Sequence, residues 1–299
     1  MEFHQIRYFL AVCDHGSFTR AAEFSYVSQP SLTHAIKKLE MELGGELFIR
    51  ERSGCLLTTL GHMVEPNFRK ILQNTLVTKA DAIRFTRLNT VPLRVGIMTT
   101  VGAQRLNPCF ARYQQDYPNI EFELIIDNDQ SLLEQLESSH LDLVISPTEL
   151  TLRPSYQTKL LYTERYVVAF GKTHRFNQLD SIDLKEIQTE PYLDRLNCEL
   201  RENLREVCQN QEIKLYATYR CNNEEWIVNL VRAGMGIALL PEYSIPQNCG
   251  DINWRYLVNP EINRKVQVYF LKQGKKQSAI PDFVTCLELS LNKINRFTH

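Results

Sequence analysis

Val27-Ser28-Gln29-Pro30-Ser31-Leu32-Thr33-His34-Ala35-Ile36-Lys37-Lys38-Leu39-Glu40 is the stretch whose reading decides the amino-terminal fold. Ser28 has the hydroxyl of a helix N-cap, and Pro30 falls in a first turn whose N–H groups have no intrahelical partner. At ~100° per residue, Leu32, Ile36, Leu39 and Leu43 share one face. Pro30, Thr33, His34 and Lys37 lie opposite, with Ser31 and Lys38 beside them. Short donors and acceptors on such a face suit base edges in a major groove, and Lys suits phosphate. Read alone, the same face is an ordinary solvated one.

The neighbouring segments separate these readings. Phe3, Ile6, Tyr8, Phe9, Leu10 and Val12 form the apolar side of a preceding helix that Gly16 can end and Ser17 follow as a cap. Phe18-Thr19-Arg20-Ala21-Ala22-Glu23-Phe24 predicts a short second helix rich in small residues. Beyond the third helix, Leu47 to Thr58 predicts a β-hairpin with Ser53-Gly54 at its tip and arginines beside it.

Phe18-Thr19-Arg20-Ala21-Ala22, Val27 to Thr33, Ile36-Lys37-Lys38-Leu39-Glu40 and Leu43-Gly44 through Leu47-Phe48-Ile49-Arg50 follow one another as linked motifs. Together they resemble the winged helix-turn-helix of LysR-type transcriptional regulators. The resemblance implies DNA contacts by Ser28, Gln29, Pro30, Ser31, Thr33, His34 and Lys37, and by Arg50 and Arg52 of the wing. His34 stands where the family more often has a longer polar or basic side chain, a departure that bears on base preference.

Residues 59–89 carry a helical stripe of Leu60, Val64, Phe68, Ile71, Leu72, Leu76, Ala80 and Ile83, with Pro66 expected to kink it or reset its start. A solitary helix cannot bury such a stripe, so it predicts a dimerising linker. A core helix of the larger domain is the alternative. Residues 1–90 hold 11 Lys+Arg against 9 Asp+Glu, and the remainder 23 against 26.

From Val91 the pattern alternates between strand and helix. Leu93–Ile97, Ile120–Ile126 and Leu141–Ile145 read as strands, with helices over 105–117 and around Leu132–Leu136. Tyr166–Phe170, Leu215–Arg220 and Gly236–Glu242 form a second set, and strand Lys265–Leu271 with helix Pro281–Ile294 returns to the first. Such alternation predicts a mostly parallel sheet. The arrangement resembles the two-lobed, periplasmic-binding-protein-like regulatory domain of the same family. The expected fold is thus α/β overall: a winged helix-turn-helix over 1–58, a linker helix over 59–90, and an effector-binding domain over 91–299. Its lobes are expected at 91–162 plus 267–299, and at 163–266.

Ligands of open α/β sheets bind beyond the carboxyl ends of strands. Thr99, Thr100 and Val101 occupy such a junction, where hydroxyls and free backbone N–H groups suit a carboxylate or other small anion; the family resemblance implies effector contact there. Ser146 and Thr148, Asn222, and Asn128 are further candidates at strand ends, against the plain reading of capping and loop residues. Cys198 and Cys208 loosely resemble the sensing pair of a peroxide-responsive branch of the family, with Arg195, Arg201 and Arg205 near enough in sequence to stabilise a thiolate. Ten residues apart on one straight helix, they would sit ~15 Å from each other, too far for a disulfide without unfolding.

The 299 residues, 43% hydrophobic and 23% charged with a net charge of -1, suffice for an ordinary core and exclude a polyanion-coating protein, though not a local DNA surface. No apolar run reaches the ~18 residues of a membrane span, and the start lacks a secretory signal, so a cytoplasmic location is expected. The 8 cysteines show no zinc-ligand spacing, so no metal or other cofactor is expected. No nucleophile elbow, phosphate loop or dinucleotide fingerprint points to an enzyme. The sequence therefore predicts a DNA-binding transcriptional regulator whose partners are operator DNA, a small-molecule effector, its own copies in a homodimer or homotetramer, and RNA polymerase at the promoter. The alternatives are a thiol-based oxidant sensor and, from another class, a two-lobed small-molecule-binding protein or enzyme.

Overall fold

A computed structural model describes all residues except 52–53, 89, 151–153, 197, 246–249, 272–278 and 295–299. They fall into two compact units, Met1–Leu88 and Asn89–His299.

The first unit opens with α1 (Phe3–His15), closed by Gly16 in the left-handed conformation (φ 62°) that glycine adopts without a Cβ clash. Ser17 accepts from the Arg20 N–H to start α2 (Phe18–Phe24), and Ser28 accepts from the Ser31 N–H to start α3 (Gln29–Leu43). These caps are the ones the sequence implied. Strands β1 (Phe48–Glu51) and β2 (Gly54–Leu57) pair antiparallel, Arg50 opposite Cys55. Of the expected tip, Ser53 lies outside the described residues and Gly54 opens β2. Helix α4 (Thr59–Leu88) begins after Thr58, whose hydroxyl accepts from the Gly61 N–H, and it runs through Pro66 instead of starting behind it.

Phe9, Leu10, Val12, Leu32, Ile36, Leu39 and Leu47 form the core of this unit. Phe9 packs at 5.1 Å from Phe48 and 5.3 Å from Phe68, tying the wing and α4 to α1. The stripe of α4 is therefore divided. Leu60, Val64, Phe68 and Leu72 pack onto this core, whereas Leu76 and Ile83 remain exposed.

The second unit contains β3 (Val91–Met98), α5 (Ala103–Asp116), β4 (Ile120–Asp127), α6 (Asp129–Glu137), β5 (Leu143–Ser146), β6 (Tyr156–Gly171), β7 (Ser181–Asp183), β8 (Tyr192–Arg195) and α7 (Leu200–Asn210). There follow β9 (Ala217–Cys221), α8 (Glu224–Arg232), β10 (Ala238–Pro241), β11 (Ile252–Val258), β12 (Asn263–Leu271) and α9 (Ala279–Ile294). One sheet runs β4-β3-β5-β12-β6-β11-β7, with β10 also on β6, and β8 pairs with β9 separately.

The expectation of a mostly parallel sheet is corrected here. Pairs β3–β4, β3–β5, β7–β11 and β8–β9 are parallel, but β5–β12, β6–β12, β6–β10 and β6–β11 are antiparallel. The reason is the long β6, whose polar first half (Gln157, Thr158, Lys159) hides its strand character, and which passes with β12 through both lobes. One core gathers Leu93, Val95, Leu143, Leu161, Val266, Val268 and Phe283; the other lobe packs around Tyr166, Val168, Phe170, Leu204 and Leu257 on one face and Val167, Ile227 and Leu240 on the other. The passage from one core to the next occurs at Tyr162–Tyr166 and Ile262–Val266.

Candidate functional site

In the first unit, burial of Leu32, Ala35, Ile36 and Leu39 leaves the opposite side of α3 in solvent. Ser28, Gln29, Pro30, Ser31, His34 and Lys37 are exposed; Thr33 is half-buried, its hydroxyl accepting from Gln29 Nε2 at 3.3 Å. These seven positions form one continuous polar surface along the first turns of the helix. Arg52 and the side chain of Arg50 lie outside what is described. Tyr26, which the sequence reading passed over, is 96% exposed in the turn before α3 and holds φ 55°. An aromatic ring held there in a conformation that disfavours side chains has no packing role, and only a Gly or Asn would have signalled the turn in the sequence.

In the second unit, the β3–α5 junction does not present open donors. The Thr99 N–H is bonded to the Asp127 carbonyl (3.0 Å) and the Val101 N–H to that of Met98 (2.9 Å), while the Val101 side chain joins the core. Gly102 lets this loop meet the Tyr243 carbonyl; a Cβ there would lie 2.0 Å from that oxygen. Thr100 is 3% exposed and faces inward. Its hydroxyl accepts from Arg264 Nη1 (2.8 Å) and donates to Glu199 Oε2 (3.1 Å), and its carbonyl accepts from Arg264 Nη2 (2.6 Å).

Arg264 is the centre of this cluster. Its Nε donates to Glu164 Oε1 at 2.9 Å and its Nη1 to Glu199 Oε1, which also accepts from the Tyr166 hydroxyl. Thr100 comes from one lobe, Glu199 from the other, and Glu164, Tyr166 and Arg264 from the strands crossing between them. Burial works to raise the Glu199 pKa, but Arg264 and Arg195 outweigh it and hold the carboxyl at about 2. Burial dominates at Glu164 and pushes its pKa up despite Arg264. A folded-state pKa below the unfolded one stabilises above the ordinary carboxylate range, so Glu199's contribution is full at neutral pH and fades as pH falls toward 2.

Beside the cluster opens a cleft of ≈ 370 Å³, lined among others by Thr148, Tyr166, Glu199, Asn203, Arg264 and Gln267. A second cleft of ≈ 340 Å³ lies against Thr99, Val101, Glu224, Asn229 and Arg232. Ser146 and Thr148 both donate to the Asp129 carboxylate, at 3.0 and 2.6 Å. Asn128 caps α6 through the Ser131 N–H, and Asn222 lies exposed one residue before Asn223, the cap of α8. Thr100 and Thr148 thus stand near the first cleft and Thr99 at the second, while Asn128 and Asn222 line neither. Glu164, Tyr166 and Arg264 escaped the sequence reading.

Cys198 precedes α7, and Cys208 lies within it, so the two do not share one straight helix. Arg195 Nη2 donates to Cys198 Sγ at 2.9 Å and Nη1 to Glu224 at 2.7 Å. Arg201 and Arg205 turn instead to Asp194 and Glu202. Burial raises the Cys198 pKa against the pull of Arg195, and raises that of Cys208. Among the described residues, no group of three or more His, Cys, Asp or Glu could hold a metal ion.

Residues 3–62 match the bacterial regulatory helix-turn-helix of the lysR family, and residues 87–290 match the LysR substrate binding domain. The chain belongs to the LysR family of transcriptional regulators. It is 28% identical to the Escherichia coli DNA-binding transcriptional dual regulator OxyR over 274 residues, covering 90% of this chain and 89% of that one. Among solved structures it superposes on CbnR with a TM-score of 0.66 at 20% identity (97% and 99% of the chains), and on HinK of Pseudomonas aeruginosa at 0.61 and 22% (98% and 99%). The regulator accordingly combines a DNA-binding helix-turn-helix with a two-lobed effector-binding domain. The cluster around Arg264 sits where those lobes meet.

Proposed function

We propose that this regulator reads operator DNA as a homodimer through the outer face of α3, and that an effector in the cleft beside Arg264 changes this binding. The observation that carries the first part is the row of exposed polar side chains from Ser28 to Lys37 above a fully buried apolar stripe. Arg50 and Arg52 complete it from the wing in the same reading, and contact with RNA polymerase follows from binding at a promoter. The regulator works in the cytoplasm with its DNA and catalyses no reaction of its own; among the described residues, no helix is long and apolar enough to cross a membrane.

Gln29→Ala and Lys37→Ala test this. Loss of a base contact at Gln29 should cost ~1–3 kcal/mol and relax sequence preference, whereas loss of a phosphate contact at Lys37 should weaken all sequences alike and flatten the salt dependence. Both residues are exposed, so thermal stability should not move. Unchanged affinity of both variants at fixed salt would remove α3 from the interface.

For the signal, the cleft is supported by its place between lobes and its lining of hydrogen-bonding groups. A thiol reading is favoured by one contact, Arg195 on Cys198, and by the likeness to a relative called OxyR. Against it stand the half-buried Cys198 and the buried Cys208, whose pKa values, raised by desolvation, keep little thiolate at neutral pH. Thr100→Val, which removes the hydroxyl bridging Arg264 and Glu199, should weaken the effector response in a reporter strain by loosening the cluster beside the cleft, whereas Cys198→Ser should leave it intact. A peroxide response lost only in Cys198→Ser would reverse this choice.

A further inference from the structure

Three donors converge on one carboxylate between the lobes. Arg264 Nη1 and the Tyr166 hydroxyl both reach Glu199 Oε1, and the Thr100 hydroxyl reaches Oε2. A guanidinium, a phenol and a hydroxyl fixed around a buried position are what a protein offers to a bound carboxylic acid. Here the carboxylate is the chain's own: Glu199 is 11% exposed and lies just before α7, on the lobe opposite Thr100. The two arginines of the cluster are both committed, while Lys265, which lines the adjoining cleft, is exposed and stands outside the cluster. Arg264 is shared with the wholly buried Glu164, and Arg195 is bonded to Glu224.

We propose that Glu199 is a built-in ligand, filling the carboxylate seat between the lobes so that a free small carboxylate is shut out until this side chain is removed. The lobes are thereby tied without any bound molecule, and the effector must use the adjoining ≈ 370 Å³ cleft by interactions other than capture of its carboxylate by Arg264. This second statement rests on the reading of that cleft as the effector site; the first does not.

The test uses the full chain and no DNA, so its failure is separate from failure of the DNA or effector reading. Glu199→Ala leaves a gap the size of acetate. Its melting temperature should fall several degrees below wild type and climb back, saturably, with sodium acetate against matched sodium chloride. Wild type should show no such rise, because its seat is full. Glu199→Gln keeps the shape without the charge and should melt low with no recovery in acetate. Equal acetate stabilisation of wild type and Glu199→Ala, or a folded Glu199→Ala indifferent to acetate, would overturn the proposal. Should Glu199→Ala fail to fold, Glu199→Gln decides: its stability deficit at neutral pH should close as pH is lowered toward 2, where the native carboxylate is itself lost. A deficit that persists there would mean a packing role and no seat.

Discussion

Replacing Arg264 with Met is expected to cost the C-terminal unit about 3–5 kcal/mol, the penalty for stripping the partner from a buried ion pair. Two carboxylates would be stranded. Glu164 has a side chain with 0% exposure, and Glu199 would lose the cation that holds its pKa at about 2. A buried ion cluster of this kind adds little net stability over apolar packing, since desolvation offsets most of the Coulomb gain. Losing one member is a different matter, because the desolvation remains and the compensation goes. For a unit of this size the loss corresponds to a fall in melting temperature of roughly 6–20 °C.

The sign of the pH dependence identifies the cause. Without Arg264 both folded-state pKa values rise, at Glu199 against the remaining pull of Arg195 and Tyr166, so the deficit relative to wild type is present at neutral pH and shrinks as acid protonates them. Wild type behaves oppositely at Glu199, losing stability toward pH 2. Arg264→Lys keeps a charge but cannot reach Glu164, Glu199 and Thr100 together, and should fall between. Denaturation curves at several pH values read all three, with the transition of the Met1–Leu88 unit unmoved. A deficit below about 1 kcal/mol, or one independent of pH, would show that the cluster is not electrostatically coupled.

Why the sequence revealed α3 and not this cluster is a matter of distance along the chain. Ser17, Ser28, Gly16 and the stripe from Leu32 to Leu43 act within one or two helical turns, so periodicity and capping chemistry expose them directly. Arg264 meets Thr100 across 164 positions and Glu199 across 65, and no local pattern records such a meeting. Thr100 stands at the strand–helix junction that the sequence marks, but its hydroxyl is engaged inside the protein instead of open to a ligand. The long β6 shows only half of itself in the sequence for a related reason: up to Arg165 it pairs with β12 alone among the described strands and carries Thr158, Lys159 and Glu164, without the apolar run that marks a central strand paired on both sides. A helical spacing between Cys198 and Cys208 does not apply, because the helix begins only at Leu200.

The largest expected effect on function comes from α4. At ~100° per residue, Leu76 and Ile83 lie only about 20° apart, continuing the face of Leu72 where it leaves the helix-turn-helix core. They are 53% and 52% exposed in the single chain, while Ile71, which is 37% exposed, falls roughly 140° around the helix from Leu76. A heptad-spaced apolar pair left bare at the end of a long helix is what a second copy of that helix would cover. Leu76→Asp should therefore fold normally, since its side chain already faces solvent in the monomer, yet place a charge in the paired state where burial is costly. Sedimentation should show it dissociating at concentrations where the parent is dimeric, with Ile83→Asp alike and Ile71→Asp milder. Two half-sites would then be bound independently. The effective-concentration advantage of linkage disappears, and operator affinity should drop ~10²–10⁴-fold. That exceeds the loss from any single α3 contact and leaves base preference unchanged, because each separated subunit still presents the same α3 surface. A parent chain sedimenting as a monomer at micromolar concentration, or Leu76→Asp binding the operator at full strength, would mean that this face of α4 serves something other than its own copy.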